Sequence, residues 1–456
     1  MLIKDTIVAV STPPGRGGIG VIRISGENAV DLAQQLFAQT DLPLTHARAS
    51  LKNLYNHREK YLIDQAVVTY FQSPHSFTGE DVVELSCHGS PVVLTSLIDE
   101  LLNLGARSAE PGEFSFRGFI NGKLDLSQAE AINDIIDAKT FAGMRQAARQ
   151  ISGELSAGLL PIKEELLYLI VLFESSIEFV EDDLDSLESL KTQRLLSKLI
   201  LSVEAYTDSY RAGKLIKNGV KVTLAGRPNV GKSSIFNSLL GSERAIVTHV
   251  PGTTRDLISE TFSLDGIPIT LVDTAGIHES LDIVETIGIE RTRRAFADTD
   301  ILLIVLEDGE GISEDEENLL REAADIPHCI VINKIDKGGN SSEIHSRFGD
   351  SGNIIRVSAL TKYGIDNLKH AIIHQLDADL RLSQTEILIT NARQHDLMRR
   401  SSDYLRQAQV SLVEHLGDEI VVINLQNALK CLDEMTGATT VEQVLGEIFS
   451  KFCIGK

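Results

Sequence analysis

The stretch GRPNVGKS at residues 226–233 follows the apolar run KVTLAG (221–226) and precedes the helix-type run SIFNSLLG (234–241). It matches the pattern G-x-x-x-x-G-K-[ST], in which glycines turn backbone N–H groups inward around phosphates and the next helix adds positive potential. Lys232 can then reach the β- and γ-phosphates, and the Ser233 hydroxyl can ligate Mg²⁺. Because strand, loop and helix occur in the required order, the stretch predicts a nucleoside-triphosphate site.

The runs around this motif predict the fold of its domain. Strand-type runs alternate with helical segments from residue 221 onward, as is typical of a mostly parallel sheet covered on both faces. The runs are KVTLAG, PITLVDT (268–274), DILLIVLE (300–307), HCIVINK (328–334) and IIRVSAL (354–360). We therefore expect an α/β domain around the P-loop.

Two motifs after the P-loop predict the metal and γ-phosphate contacts. Thr254 in PGTTRD (251–256) is expected to complete the Mg²⁺ coordination. DTAG (273–276) ends a strand and places Asp273 near the metal and the amide of Gly276 near the γ-phosphate.

Two later motifs predict the base. The carboxylate of Asp336 in NKID (333–336) can accept two hydrogen bonds from guanine N1 and N2, and SAL (358–360) offers an amide to guanine O6. Adenine has no such donor pair, so the ordered set predicts a GTPase and not an ATPase. The predicted GTP contacts are Asn229, Val230, Gly231, Lys232, Ser233, Ser234, Thr248, His249, Val250, Pro251, Gly252, Thr253, Thr254, Asp273, Thr274, Ala275, Gly276, Asn333, Lys334, Asp336, Ser358, Ala359 and Leu360.

The residue after DTAG departs from the Ras-like pattern. Ras-like proteins carry glutamine there to orient the attacking water, whereas this chain has Ile277, which cannot do so. His278 and Glu285 are the nearest titratable candidates. For each of them, an exposed residue of a switch helix is an equally good interpretation.

Composition limits the class of protein. A chain of 456 residues with 43% hydrophobic and 24% charged residues predicts two to four soluble domains. The most apolar run, LLYLIVLF (166–173), is too short to cross a membrane and is expected to be one face of a buried helix. The N-terminus lacks the pattern of a secretory signal, so we expect a cytoplasmic protein.

Charge and cysteine content exclude some partners. The formal net charge of −22 argues against nucleic-acid binding driven by overall charge, so a nucleic acid would need a local patch. RTRR (291–294) and the stretch from NAR to RR (391–400) are candidates, although solvated helix faces are the favoured interpretation. Free thiols are expected at the scattered positions Cys87, Cys329, Cys431 and Cys453.

Long stretches outside the nucleotide motifs resemble the MnmE (TrmE) family of tRNA-modification GTPases, which are TrmE-Era-like P-loop GTPases. The stretches are TPPGRGGIGVIRISG (12–26), FTGEDVVELSCHG (77–89), PGEFSFRGFINGKLDLSQAEA (111–131) and the terminal FCIGK (452–456). The resemblance covers the chain from end to end, and both the Gly-rich N-terminal segment and FCIGK are specific to this family among P-loop GTPases.

The distribution of strand-type and helix-type runs, together with the resemblance, predicts a multidomain α/β and α protein. We expect an α+β folate-binding and dimerisation domain at residues 1–120 and a helical domain in two parts, 121–216 and 381–456. A Ras-like G domain at 217–380 is inserted between those two parts.

The resemblance also implies how Ile277 is compensated. Glu285, at the matching position of the switch helix, organises the attacking water. The G domains pair across the nucleotide with a K⁺ ion, whose ligands are Asn229, Thr248, Val250 and Thr253. A cation beside the bridging oxygen stabilises leaving-group charge. From spacing alone, Asn229 is equally well an ordinary loop residue.

The Gly-rich segment GRGGIG (15–20) fits G-x-G-x-x-G, but strand-type VIRISG follows where a dinucleotide fold needs a helix. The resemblance implies instead that this domain binds a tetrahydrofolate derivative, in the 5-formyl or 5,10-methylene form, as one-carbon donor. The implied contacts are Arg23, Glu84, Lys123 and Lys456. Without the resemblance these residues are ordinary strand, turn and tail charges.

The terminal FCIGK places Cys453 three residues from the last residue. The resemblance implies that the tail projects toward the folate pocket, with Lys456 at a folate carboxylate and Cys453 as a candidate catalytic thiol. A neighbouring cation would lower the pKa of such a thiol. Alternatively, Cys453 packs the tail as a small apolar residue beside Phe452 and Ile454. Cys87, in a strand next to His88, is better read as core.

The family implies partners as well. It predicts a homodimer that works with an FAD-dependent subunit, MnmG (GidA), in a heterotetramer or larger complex. Together they install an aminomethyl or carboxymethylaminomethyl group at C5 of the wobble uridine of certain tRNAs, with GTP hydrolysis driving a conformational change. One alternative is a GTPase switch in ribosome assembly, which has no use for FCIGK. Another is a folate-dependent one-carbon transferase whose G domain is only regulatory.

Overall fold

The protein is described from a computed structural model of the chain. It covers residues 5–37, 43–178, 186–241, 258–273, 299–323, 326–339, 353–376, 388–439, 442–450 and 452–455. The chain divides into two compact units. The first comprises Met1–Asn133, Gln150–Val171 and Leu425–Lys456, and the second comprises Asp134–Arg149 and Leu172–Asn424. The four-part division from the sequence stays a prediction.

The α-helices of the described residues are, in chain order, α1 Ala29–Gln35, α2 Pro91–Asn103, α3 Glu113–Ile120, α4 Leu126–Asp137, α5 Phe141–Ile151, α6 Glu154–Glu178, α7 Ser186–Asn218, α8 Lys232–Leu240, α9 Glu314–Glu322, α10 Ile365–Gln375, α11 Ala392–Val413, α12 Asp418–Thr436 and α13 Glu442–Phe449. The sequence predicts a helical domain in two parts, 121–216 and 381–456, and the helices α4 to α7 and α11 to α13 occupy those two ranges. The run at 166–173 lies in α6, where Leu166, Leu169 and Phe173 are buried and Leu167 and Tyr168 are exposed, as expected for one face of a helix.

The first unit contains a six-stranded sheet with the order β3-β4-β5-β2-β1-β6. Its strands are β1 Ile7–Val10, β2 Gly17–Ser25, β3 Ala49–Tyr55, β4 Leu62–Phe71, β5 Val82–Gly89 and β6 Arg107–Ser108. All pairs are antiparallel except β1 with β6. Arg23 lies directly opposite Glu84 in the pairing of β2 with β5. Strand β3 and the short strand β6 were not predicted from the sequence.

One face of this sheet is covered by helices. Apolar residues of β2, β5, α1 and α2 form a single core that includes Ile22, Leu85, Leu32 and Leu97. Successive strand residues point to opposite faces, so Arg23 and Glu84, which flank buried positions, lie on the other face. The register therefore places a charged pair on the sheet face away from α1 and α2.

The second unit contains a sheet with the order β12-β11-β10-β7-β9-β8. Its strands are β7 Val220–Ala225, β8 Ile258–Leu264, β9 Ile267–Asp273, β10 Ile301–Glu307, β11 His328–Asn333 and β12 Ile354–Arg356. Five strands are parallel, and β8 at the edge is antiparallel to β9. Residues Ile301–Leu306 are buried along the whole strand because apolar cores lie on both faces of the sheet. The mostly parallel sheet is confirmed, whereas β8 was missed.

Helix α7 leads directly into this sheet. It has 33 residues and ends at Asn218, two residues before β7 begins at Val220. The N–H of the intervening Gly219 donates to the Leu215 carbonyl oxygen at 2.9 Å, which closes the last turn of the helix. The strand that carries the P-loop is therefore a direct continuation of the longest helix in the described residues.

Within the described ranges, none of the helices combines the length and the apolar character that a membrane crossing requires. The four cysteines are free thiols, as predicted, and Cys87, Cys329 and Cys431 are buried whereas Cys453 is exposed. Burial raises the pKa of Cys87 to about 12, which agrees with its reading as a core residue.

Candidate functional site

The P-loop follows β7 and ends at the first turn of α8. Gly231 has a φ of +98°, and a Cβ at this position would lie 2.3 Å from Nδ2 of Asn333. Asn229 also has a positive φ, +68°, a conformation that asparagine tolerates better than most residues. The loop is therefore closed tightly against the end of β11, and glycine is required at 231.

Lys232 is buried and points back into its own loop. Its Nζ donates to the carbonyl oxygens of Gly226 at 2.7 Å and Arg227 at 2.9 Å. Burial lowers the pKa of Lys232, and the nearby charge of Asp273 opposes part of that shift. The ammonium group is thus held in the loop whose amides are expected to surround a phosphate.

Ser233 and Asp273 meet at the carboxyl end of the sheet. The Ser233 hydroxyl donates to Oδ2 of Asp273 at 2.8 Å, and Asp273 is the last residue of β9. A hydroxyl and a carboxylate at this spacing suit Mg²⁺, which prefers oxygen ligands. The two side chains that the sequence placed at the metal are therefore brought together.

The predicted base-binding motifs converge on the same loop. Asn333 donates from Nδ2 to the Val230 carbonyl oxygen at 2.9 Å, and its Oδ1 accepts the Ala359 N–H at 3.1 Å. Lys334 donates from Nζ to the Asn229 carbonyl oxygen at 2.6 Å. NKID thus links the P-loop to SAL, although more than 100 residues separate Val230 from Asn333.

Asp336 is exposed and held by one neighbour. Its Oδ1 accepts the Ser358 hydroxyl at 2.5 Å, and Ser358 is itself buried. Leu360, the last residue of SAL, is 84% exposed. The Asp336 carboxylate therefore has a fixed position at the surface, as a residue that accepts hydrogen bonds from a base requires.

Part of the predicted site lies outside the described residues and stays a prediction. The nucleotide and metal contacts concerned are Thr248, His249, Val250, Pro251, Gly252, Thr253, Thr254, Thr274, Ala275 and Gly276. Ile277, His278, Glu285, the RTRR run at 291–294 and Lys456 also fall outside.

Sequence reasoning missed Glu307, the last residue of β10. It accepts hydrogen bonds from Nζ of Lys334 at 2.6 Å and of Lys337 at 2.8 Å. These two lysines lower the pKa of the Glu307 carboxyl. Its position after a buried strand, at the carboxyl edge of a parallel sheet, was a signal that could have found it.

Sequence reasoning also missed the role of Arg227 within the P-loop. Its guanidinium forms ion pairs with Glu310 and with Glu316, the latter at 3.4 Å. Glu316 is buried and forms a capping box with Ser313 at the start of α9. Arg227 therefore ties the phosphate-binding loop to the helix after β10.

In the first unit, Arg23 and Glu84 pair with each other. Nε and Nη2 of Arg23 donate to Oε1 of Glu84 at 2.9 and 2.8 Å. The guanidinium lies 5.4 Å from the Phe77 ring centre and 5.7 Å from that of Phe114, within cation–π range. Both side chains keep about a quarter or less of their surface exposed, 21% and 26%. The ion pair therefore packs against two aromatic rings and remains partly accessible to solvent.

Lys123 borders the loop that carries Phe77. Its backbone N–H donates to the Gly118 carbonyl oxygen at 2.8 Å, and its side chain is exposed. A Cβ on Gly79 would lie 3.2 Å from Cγ of Lys123, so the lysine stem runs against the loop two residues beyond Phe77. Arg23 contacts Phe77 and pairs with Glu84, and Lys123 lies against Gly79. Three of the four predicted folate contacts therefore lie around the 77–79 segment.

A buried ion cluster anchors this segment, and no sequence pattern indicated it. Arg117 is 1% exposed and donates to Asp5 at 2.7 Å, Glu113 at 2.9 Å and Glu80 at 3.2 Å. Glu80 also accepts the Ser25 hydroxyl at 2.7 Å. The partners come from distant parts of the chain, so local patterns could not reveal the cluster.

The C-terminal tail docks on the same sheet. Phe452 is buried and its ring lies 5.3 Å from that of Phe449. The Gly455 carbonyl oxygen accepts hydrogen bonds from the Ser11 hydroxyl at 3.0 Å and from Nη1 of Arg23 at 3.5 Å. Cys453 is exposed and Ile454 is 59% exposed. Phe452 therefore packs the tail, and the alternative in which Cys453 does so is wrong.

Comparisons with known proteins cover the chain. The family model described as "MnmE helical domain" matches residues 126–453, and that described as "GTP-binding protein TrmE N-terminus" matches residues 6–123. A tRNA modification GTPase MnmE from Koribacter versatilis is 42% identical, and one from Aquifex aeolicus is 39% identical, each over 100% of both chains. A solved structure of Aquifex aeolicus Era bound to GDP.AlF4- is 26% identical, covers 41% of this chain and 66% of that chain, and has a TM-score of 0.29.

The mostly parallel sheet, the P-loop lysine and the convergence of Asp273, Asn333 and Ala359 on the P-loop region define a P-loop GTPase with a Ras-like G domain. An N-terminal TrmE domain and an MnmE helical domain accompany it. The chain belongs to the MnmE family of tRNA modification GTPases, which confirms the family expected from the sequence.

Proposed function

We propose that this GTP hydrolase, which acts in tRNA modification, requires K⁺ for turnover and uses a tetrahydrofolate derivative as one-carbon donor. It works as a homodimer in the cytoplasm with an FAD-dependent MnmG subunit and modifies C5 of the wobble uridine of certain tRNAs. The four-part domain division from the sequence belongs to this proposal. The observation that supports the proposal is that Lys232, Ser233, Asp273 and Asn333 lie around one loop in a chain of this family.

The nucleotide half of the proposal follows from these contacts. Phosphoryl transfer is accelerated chiefly by positioning and by stabilising charge on the phosphate oxygens. Lys232 and the P-loop amides supply positive potential, and Ser233 with Asp273 would hold Mg²⁺, which neutralises charge on the β- and γ-phosphates when bound. Asp336 selects guanine. Glu285 is proposed to orient the attacking water in place of the missing glutamine.

The K⁺ requirement is assigned to Asn229 together with Thr248, Val250 and Thr253. Asn229 is exposed, and its carbonyl oxygen is held by Lys334 at 2.6 Å. Its position is therefore fixed at the surface of the phosphate loop, where a monovalent cation would add positive charge beside the leaving group.

The folate half rests on the first unit. Arg23, Glu84 and Lys123 offer two cations and one carboxylate around aromatic rings, a combination suited to a flat, heteroaromatic ligand with carboxylates. We assign Lys456 to the same ligand and Cys453 as a candidate catalytic thiol, because the tail that carries them docks beside Arg23.

The test is GTP turnover of the purified chain in KCl and in NaCl at equal ionic strength, across protein concentration. We expect strong stimulation by K⁺ that increases with protein concentration, because the G domains pair. Asn229→Gly removes the side chain and suits the positive φ, so it should abolish the stimulation without straining the loop. Equal rates in the two salts would remove the proposed role of Asn229.

A second measurement separates the proposal from a ribosome-assembly switch. Deleting the last four residues leaves the G domain intact and removes Cys453 and Lys456. We expect wobble-uridine modification, followed by mass spectrometry of tRNA nucleosides, to be lost. Undiminished modification would refute a chemical role for the tail.

A further inference from the structure

The tail is fixed by contacts that do not involve the Cys453 side chain. The Ser11 hydroxyl donates to the Gly455 carbonyl oxygen at 3.0 Å, and the Gly112 N–H points to the Cys453 carbonyl oxygen at 3.4 Å. Phe452 is buried in an aromatic group with Phe116 and Phe449. Contacts thus hold the backbone on both sides of residue 454.

Gly455 is required for this arrangement. It is buried and has a φ of +92°, and a Cβ there would lie 2.4 Å from the Val10 carbonyl oxygen. A real Cβ cannot approach a carbonyl oxygen so closely. Any other residue at 455 must therefore lift the tail from the end of β1.

The same carbonyl oxygen links the tail to the charged pair. Arg23 directs Nη1 to the Gly455 carbonyl oxygen at 3.5 Å while its Nε and Nη2 hold Glu84. Ser11 and Arg23 thus converge on a single atom of the tail. Cys453 lies two residues away, within about 7 Å along the chain, and its side chain stays exposed.

We propose that Ser11 is a positioning residue, which fixes the tail through the Gly455 carbonyl oxygen so that Cys453 is held beside the Arg23–Glu84 pair. The docking stands on the contacts alone. The role of this docking in one-carbon transfer rests on the proposed function. Among the described contacts, the Ser11 hydroxyl reaches the tail through the Gly455 carbonyl oxygen, so its proposed action passes through the backbone of the tail.

The exposed thiol allows the docking to be measured directly. A nitroxide spin label is attached to Cys453 in the full chain, and Cys453→Ser serves as the labelling control for the three buried cysteines. The wild-type spectrum should be dominated by an immobilised component. Ser11→Ala should raise the ratio of mobile to immobile label about fivefold, as expected for one lost hydrogen bond. Gly455→Ala should raise the ratio further.

Two variants act as matched controls. Ser108→Ala makes the same change at an exposed residue of β6 and should leave the spectrum as in the wild type. Ser11→Thr keeps the hydroxyl and should restore the immobilised component. A mobile wild-type label, or unchanged spectra in both Ser11→Ala and Gly455→Ala, would overturn the docking proposal.

The positioning role is tested with 5-formyltetrahydrofolate. Because Arg23 and Glu84 remain, Ser11→Ala should bind this probe within about twofold of wild type by calorimetry, while kcat for tRNA modification falls about fivefold or more. A mobile tail with unchanged kcat would overturn the positioning role. Absence of binding to the wild type would refute the proposed folate site, whereas the label spectra would still decide the docking.

Discussion

The nucleotide site and the candidate site around the Arg23–Glu84 pair are assembled by different kinds of sheet. In the G domain, Lys232, Asp273 and Asn333 follow or end three parallel strands, whose carboxyl ends meet at one edge. In the first unit, Arg23 and Glu84 face each other across two antiparallel strands, and Ser11 and Gly455 join them from 444 residues apart. In this chain the parallel sheet brings short motifs together, whereas the antiparallel sheet brings together single residues from distant parts of the sequence.

This difference decides how each site tolerates change. Under the proposed function, a motif residue of the G domain such as Asp336 acts on the nucleotide directly. A residue of the candidate site around the Arg23–Glu84 pair depends on partners elsewhere in the chain, so part of its effect passes through the docking of other segments. Substitutions in the two sites test that contrast.

The largest effect is expected for Asp336→Asn. Asparagine presents an NH₂ donor where guanine needs an acceptor, so the ratio of GTP to xanthosine triphosphate affinity should fall by about 10⁴-fold. Competition binding with the two nucleotides measures this ratio. Glu314→Gln, an exposed change on α9, is the control and should keep the wild-type ratio. A retained preference for GTP would show that another residue reads the base.

A smaller effect is expected for Arg23→Gln. The change removes a charged donor to Glu84 and to the tail carbonyl, so the affinity for 5-formyltetrahydrofolate should fall by about 10- to 100-fold, corresponding to about 1.4–2.7 kcal/mol. Calorimetric titration measures it, with Arg48→Gln as an exposed control. Greater mobility of the label on Cys453 in this variant would also support the dependence of this site on distant segments. Unaltered affinity would remove Arg23 from the site.

The smallest effect concerns acid stability of the first unit. Burial alone would raise the pKa of Glu113, but hydrogen bonds from Arg107, from the Glu110 N–H and from Arg117 hold it below its usual 4.5. The stabilisation that ionised Glu113 provides is therefore complete when the pH is above its unfolded-state pKa. It is lost as the pH falls through its folded-state pKa. Glu113→Gln should remove about 1–3 kcal/mol at neutral pH and flatten this acid dependence.

Denaturant unfolding of the first-unit signal, followed from about pH 3 to 7, measures that dependence. Glu110→Gln changes an exposed neighbour and should keep the wild-type slope. An acid profile identical in Glu113→Gln and the wild type would show that the buried cluster does not control stability at low pH.

The G domain could be predicted largely from the sequence because its strands are buried on both faces and read as continuous apolar runs. The edge strand β8 was missed since ISETFSL mixes polar and apolar residues. The base-side contacts followed from motifs, but Glu307 did not, because its partner Lys334 lies beyond a helix and another strand.

The first unit was less predictable for a physical reason. Its short strand β6 has two residues, too few for a period to be seen. Arg23 and Glu84 became candidates only through family resemblance, since a charge on a half-exposed strand is usual. Register, which sets them face to face, depends on the whole sheet and cannot be read from either strand alone.

Helix α7 is a long extension of the strand that leads to the nucleotide site. Its 33 residues span about 50 Å, and its last turn passes within two residues into β7. A rotation of about 5° at Gly219 would displace the far end at Ser186 by roughly 4 Å, which follows from that length. A rotation too small to alter the hydrogen bonds of the phosphate loop can therefore displace the far end of α7 by more than the distance between two side chains in contact.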